Sequence, residues 1–386
     1  MKRYIALLLL LLTALNAFAA CDDEKAEESS KSAEIVESSE STEESVSSEE
    51  SIEPVKEEGK LHYHTKTYLL KDTAGEMTNT ELVNGALRLK EGESKGEYIT
   101  ELDIGTFDTI LASWNAETEK GIVEMSVSYQ TTEGQWSEFL SWGPWSSKRG
   151  ISRSTSPKDE YATLAIDIFT VNKGYTASGK IKVKLELSRG VKSPKVYNFS
   201  ITTPQMEKQQ TVDASALPES FLNDVPMRSQ LAPENGADGN RICSPTTVAM
   251  ALEFMGKNKA TMTAAKDIYD NGWEAYGNWS FAVAYAGEQG FTAYMDLYDR
   301  DMMKYALSQG YVIGCSTYLT SSGHLVLLSG YTVIDGVEYY IANDPNVNAN
   351  NPKRTNYTVE YFEERWLRDS MGGYGVVYVF GDKRAD

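Results

Sequence analysis

Ile242-Cys243-Ser244-Pro245-Thr246-Thr247-Val248-Ala249-Met250-Ala251-Leu252-Glu253-Phe254-Met255-Gly256 sets one thiol where a loop turns into a helix. Val248, Ala251, Leu252 and Met255 recur at helical spacing and give that helix an apolar face. Pro245 suits the first helical turn, and Gly256 suits the stop. The first turn of a helix presents unpaired N–H groups at the positive end of its dipole. Both stabilise a thiolate, the form of cysteine that attacks carbonyl carbon. Cys243 is therefore a candidate nucleophile, against the plainer reading of a small buried hydrophobe.

A nucleophilic thiol needs a base, and the chain has three histidines. His62 and His64 lie far upstream beside an acidic tail and read as solvated. A His-x-His pair can ligate metal, but no further Cys or His stands near it, so no metal site is assigned. His324 lies in Ser321-Ser322-Gly323-His324-Leu325-Val326-Leu327-Leu328, where Gly323 eases the approach and an apolar run of strand character follows. A second strand, Val337 to Ala342, runs into Asn343-Asp344-Pro345. That places the Asp344 carboxylate at a strand end, able to accept the second imidazole N–H, with Asn343 as the fallback. Asp-Pro after a strand is also an ordinary turn opener. The chain order is Cys, His, Asp.

Val225-Pro226-Met227-Arg228-Ser229-Gln230, the Cys243 helix start, Gly323-His324 and Asn343-Asp344-Pro345 occur in that order. Together they resemble the papain-like, bacteriocin-processing-peptidase-like family of cysteine peptidases, over roughly residues 218 to 386. The resemblance implies a papain-like α+β fold and hydrolysis of peptide bonds. It implies catalytic roles for Cys243 as nucleophile, His324 as base, Asp344 as orienting carboxylate and Gln230 as oxyanion donor beside the Cys243 backbone N–H. In one departure, Ile242 and Ser244 flank the cysteine where the family usually carries glycine. Cys315, within Tyr311-Val312-Ile313-Gly314-Cys315-Ser316, reads as an inert thiol on a buried strand; a bridge to Cys243 would abolish the chemistry.

The sequence divides near residues 205 to 218. Before that point, the segments 121–130, 161–170, 180–187 and 195–202 alternate apolar with polar residues, the pattern of a β-sandwich. After it, helical segments near 244–255, 262–270, 280–288 and 299–308 precede strands near 311–317, 325–332, 337–342 and 374–380. The fold class expected is multi-domain, an all-β sandwich over residues 60–208, a linker over 209–217 and an α+β papain-like domain over 218–386. Trp136, Trp142 and Trp145 cluster in the sandwich, with Trp114 nearby. They read as core anchors, with contact to cell-wall glycan as the rival role. Trp136-Ser137-Glu138-Phe139-Leu140 followed by Trp142-Gly143-Pro144-Trp145 loosely resembles sandwich modules that precede such peptidase domains in Gram-positive surface proteins. Tyr276, Trp279 and Tyr318 are candidates to line the cleft.

Lys2 and Arg3, an apolar run from Tyr4 to Leu12, and Phe18-Ala19-Ala20-Cys21 resemble a bacterial lipoprotein signal. Residues 1–20 would be removed and Cys21 acylated, which anchors the chain extracytoplasmically to the membrane; simple secretion after Ala19 is the alternative. The apolar run is too short to span a bilayer. Residues 22 to 58 carry 15 acidic side chains against three lysines, much of the net −19 of the whole chain. Such a segment, residues 21–59 overall, reads as a disordered Ser/Glu-rich spacer.

A sequence pI near 4.7 with no basic cluster removes the electrostatic term that nucleic-acid binding depends on. No phosphate loop, dinucleotide fingerprint, zincin motif or solenoid repeat is present, so no cofactor is called for. Two functions remain. One is a surface-anchored cysteine peptidase acting on peptide or protein. The other is a non-catalytic lipoprotein that binds envelope peptides or glycans on an inactive peptidase fold.

Overall fold

The computed structural model describes residues 61–384. The expected signal sequence, Cys21 and the expected acidic spacer lie outside the described residues. Two antiparallel sheets pack face to face over residues 65–202. One runs Thr80–Val83, Ala86–Leu89, Lys195–Thr202, Thr109–Glu117, Ile168–Val171, Ala162–Ala165, with Thr65–Leu69 also paired to Lys195–Thr202. The other runs Glu76–Thr78, Lys95–Asp103, Ala177–Ser188, Ile122–Thr131, Leu140–Trp145. Along Ala177–Ser188 the alternation is regular: Ile181, Val183, Leu185 and Leu187 enter the core, while Lys180, Lys182, Lys184 and Glu186 stay out.

Trp114, Trp142 and Trp145 are fully buried in this core. Trp136 is half-buried beneath Lys182, whose Nζ lies 4.2 Å from the ring centroid. None of the four is a bare indole on a loop. The segment 161–170, expected as one strand, is instead a hairpin of Ala162–Ala165 and Ile168–Val171. Ile166 turns it at φ +57, a conformation β-branched residues avoid. The turn projects the Asp167 carboxylate onto the second half of the chain, where Oδ1 accepts from the Trp279 and Ser280 N–H groups at 3.0 and 3.1 Å.

Residues 221–383 form an α+β domain. Its antiparallel sheet runs Phe291–Tyr298, Tyr374–Lys383, Ile313–Thr317, His324–Ile334, Val337–Asn343, Thr355–Thr358. The helices are Cys243–Phe254, Thr261–Ile268, Trp279–Glu288, Arg300–Ser308 and Val359–Trp366. Four of the five were expected within a residue or two. The strand Phe291–Tyr298 and the helix Val359–Trp366 were not, and the strand comes between helices, so the order is not simply helices then sheet. Phe291–Tyr298 is buried on both faces and shows no alternation to read.

Gly256 ends the cysteine helix at φ +84, with its N–H on the Glu253 carbonyl and the Lys257 N–H on the Leu252 carbonyl. That is the paired closure which a left-handed residue makes at a helix end.

The two halves share one hydrophobic core, in which Trp114 and Trp145 meet Phe281 at 6.5 and 5.4 Å between ring centroids. Phe291–Tyr298 is the edge strand of the second half's sheet, and side chains of the sandwich satisfy its outer backbone groups. Asn115 Nδ2 donates to the Ala293 carbonyl at 2.7 Å and its Oδ1 accepts from Ala293 N–H at 3.0 Å. Met295 N–H donates to Ser113 Oγ and its carbonyl accepts from Thr202 Oγ1. The edge is closed against other strands.

His62 and His64 are not solvated, contrary to expectation. His64 is buried with Nδ1 2.8 Å from the Met206 carbonyl, and half-buried His62 packs edge-on against Tyr294. The N–H groups of Tyr63 and His64 donate to the buried carboxylate of Asp296, both at 2.8 Å. Burial lowers His62 to about 4 and raises Asp296 to about 8 despite three backbone N–H donors. An apolar pattern around Tyr63 was too short to reveal this docking from sequence.

Candidate active site

Cys243 begins its helix as the first helical residue, preceded by Ile242 with φ −111. Ile242 and Ser244 are fully buried, and Cys243 keeps 7% exposure. That exposure opens onto a cavity which His324 also borders. The helix is fastened to the histidine strand one turn later, where Thr247 Oγ1 donates to the Leu325 carbonyl at 3.1 Å. His324 starts its strand directly after Gly323, whose φ of +87 turns the chain out of the preceding Thr320 loop. Thr317, its register partner, donates its hydroxyl to the His324 carbonyl.

His324 is 2% exposed, and its Nε2 lies 2.7 Å from Asp344 Oδ1. Asp344 Oδ1 also accepts from Asn346 N–H at 2.7 Å, and Oδ2 accepts from the Tyr357 hydroxyl at 2.6 Å. Burial alone would raise the Asp344 pKa, but the hydrogen bond and charge of His324, with Tyr357 and Asn346, hold it below the usual carboxylate range. Tyr357 moves the opposite way, raised first by burial and then by the facing carboxylate. Asn343 does not share this duty: its Nδ2 donates to the Val225 and Pro226 carbonyls at 3.1 and 3.4 Å.

Gln230 is 2% exposed and is tied to the same loop, its N–H donating to the Pro345 carbonyl at 2.8 Å. Its Oε1 is buried and accepts no hydrogen bond among the described residues, and Gln230 is not among the residues lining the cavity. Cys243 and Cys315 are not bridged to one another. Cys315 faces the core on the far side of the sheet, and burial raises its pKa well above the usual thiol value.

Tyr276, Trp279 and Tyr318 all line the cavity, joined by Trp273. Two arginines, Arg241 and Arg368, complete the wall. Burial lowers the Arg368 pKa. Sequence reasoning missed Arg368 and Tyr357. The only available signal for Tyr357 was its place on the strand returning along Val337–Asn343, where it pairs with Tyr340.

Residues 222–374 match the model of the Peptidase_C39 like family, and residues 93–203 match that of the Peptidase C39 N-terminal domain. No curated protein matches the chain. Among solved structures, the chain is similar to proCathepsin B S9 from Trypanosoma congolense, at 12% identity over 46% of this chain and 82% of that one, with a TM-score of 0.34. A structure from work on the mite allergens Blo t 1 and Der p 1 follows, at 14% identity over 43% and 71%, TM-score 0.31. TmCBM61 in complex with beta-1,4-galactotriose aligns at 15% identity over 36% and 86%, TM-score 0.19. The chain thus joins a Peptidase C39 N-terminal domain to a Peptidase_C39-like domain.

Proposed function

We propose that the Peptidase_C39-like domain of residues 222–374 is a working cysteine peptidase that hydrolyses peptide bonds. One observation carries the reading: a single imidazole, His324, borders the cavity of Cys243 while Asp344 grips its far nitrogen at 2.7 Å. An ionised Asp344 only accepts, so the proton belongs on Nε2 and Nδ1 becomes the base. His324 Nδ1 takes the Cys243 proton, and the sulfur attacks the scissile carbonyl carbon as the carbonyl electron pair moves onto oxygen. The Cys243 N–H and the Gln230 amide hold that oxyanion. His324 returns the proton to the leaving amine as the C–N bond breaks, leaving a thioester. A water, deprotonated by the same nitrogen, then expels the sulfur and releases the acid.

In the same reading residues 60–208 and 218–386 act as two units joined by 209–217. A lipid on Cys21 holds them outside the cell, with residues 22–58 as spacer. Lys2, Arg3 and the apolar run before Cys21 support the anchor.

Alkylation of Cys243, followed by mass mapping across pH, tests the chemistry. Rapid labelling at neutral pH that drops at least about tenfold in His324→Ala, with peptide turnover abolished in Cys243→Ala, is expected. Slow labelling indifferent to His324 would leave a binding protein on a peptidase fold.

A further inference from the structure

Two cations border the cavity of Cys243 and His324, and among the described residues no carboxylate lies within ion-pairing distance of either. Arg368 is 8% exposed. Its Nη2 donates to the Ser316 carbonyl at 3.1 Å and hydroxyl at 2.8 Å, both neutral acceptors. Its guanidinium sits 5.2 Å from the Trp279 ring centroid and 4.7 Å from that of Tyr318. Its Nε is buried and has no acceptor among the described residues. Arg241 repeats the pattern, with Nη2 on the Glu274 carbonyl at 2.7 Å, Tyr276 at 5.8 Å and an Nε likewise buried without an acceptor.

This is costly in a chain of net charge −19, where acidic partners are plentiful. Two other part-buried arginines do find carboxylates: Arg228 reaches Glu253 at 2.6 Å and Arg384 reaches Glu117 at 3.1 Å. Aromatic faces and neutral oxygens offset part of the desolvation of a guanidinium, and packing alone is served as well by an uncharged side chain. A planar fork of donors held on aromatic rings beside a nucleophile is instead suited to a carboxylate that arrives with the ligand.

We propose that the cavity selects substrates bearing a carboxylate next to the scissile bond, with Arg368 as its principal recognition group and Arg241 as the second. The inference rests on the peptidase reading of the same site. Two sources present that chemistry, an acidic side chain within a peptide and the free C-terminus of one.

The test uses the full chain carrying Cys243→Ala and measures calorimetric affinity for three otherwise identical peptides. One has an internal Glu and an amidated end, one has Gln and a free end, and one has Gln and an amidated end. One of the two carboxylate peptides binds about 10- to 100-fold more tightly than the neutral one, which names the source. Arg368→Gln in that background shrinks the preference to within about threefold, and Arg368→Lys restores part of it. Should Arg368→Gln not fold, Arg241→Gln must weaken the preference measurably. Equal affinity for all three peptides overturns the proposal, as does a preference unmoved in the variants. Because binding is read without the nucleophile, a clear preference in a chain whose parent form turns over nothing defeats the peptidase reading alone. Turnover by the parent chain without any preference defeats this proposal alone.

Discussion

Asp344 receives donors from His324, Asn346 and Tyr357 on a single buried carboxylate, and its ionised state depends on all three. Tyr357→Phe removes one of them without opening much space. The Asp344 pKa then rises, so, on the proposed peptidase reading, the acid limb of the pH profile of kcat/KM moves to higher pH, by up to about one unit, and the rate falls several-fold. A profile unchanged on the acid side would mean that the phenol takes no part. Folded Asp344 lies below its unfolded value, so its stabilising contribution is present above the unfolded pKa and is lost as acid protonates it. At this scale the candidate triad was legible because each member has a local signature: a thiol at a helix start, a histidine after a positive-φ glycine, an Asp at a strand end. Tyr357 and Arg368 have none. Their positions follow from strand pairing and side-chain packing, which join residues 13 and 52 positions apart in sequence.

Trp279–Glu288 shows how far an element can depend on the other half of the chain. Its first N–H groups are accounted for by two capping side chains: Asn278 takes Phe281, and Asp167 from the sandwich takes Trp279 and Ser280. Burial raises Asp167 to about 7, so much of its hold comes through hydrogen bonding that an amide oxygen can reproduce. Asp167→Ala is expected to cost about 1–2 kcal/mol in denaturant unfolding, and Asp167→Asn markedly less. Equal losses in the two variants would assign the effect to charge instead. The Ile166 turn that delivers Asp167 was invisible in sequence, because Tyr161 to Thr170 alternates as a single strand would and no glycine marks the reversal.

Across the whole molecule the division into sandwich and α+β domain was readable from the change of periodicity near residue 205, whereas the joint between them was not. Leu61 to His64 cross to the second half, and Asp296 fixes them there. Asp296, near 8 when folded against an ordinary 3.8, binds a proton that the unfolded chain releases. Its contribution is complete in acid and is lost as pH rises through about 8. His62, lowered to about 4, opposes this trend only up to its unfolded value of 6.5. The melting temperature should therefore fall by a few degrees between about pH 6.5 and 8.5, and Asp296→Asn should flatten that slope. A slope identical in the variant would place the titration elsewhere. The seam closed by Asn115, Ser113 and Thr202 is asymmetric: the sandwich contributes side chains, while Phe291–Tyr298 contributes peptide groups that any residue but proline supplies. Inheritance of these hydrogen bonds should be lopsided, restrained at three sandwich positions by their polar atoms and along Phe291–Tyr298 only by burial and by Asp296, so that the clasp could be grafted onto other sheets with a bare edge.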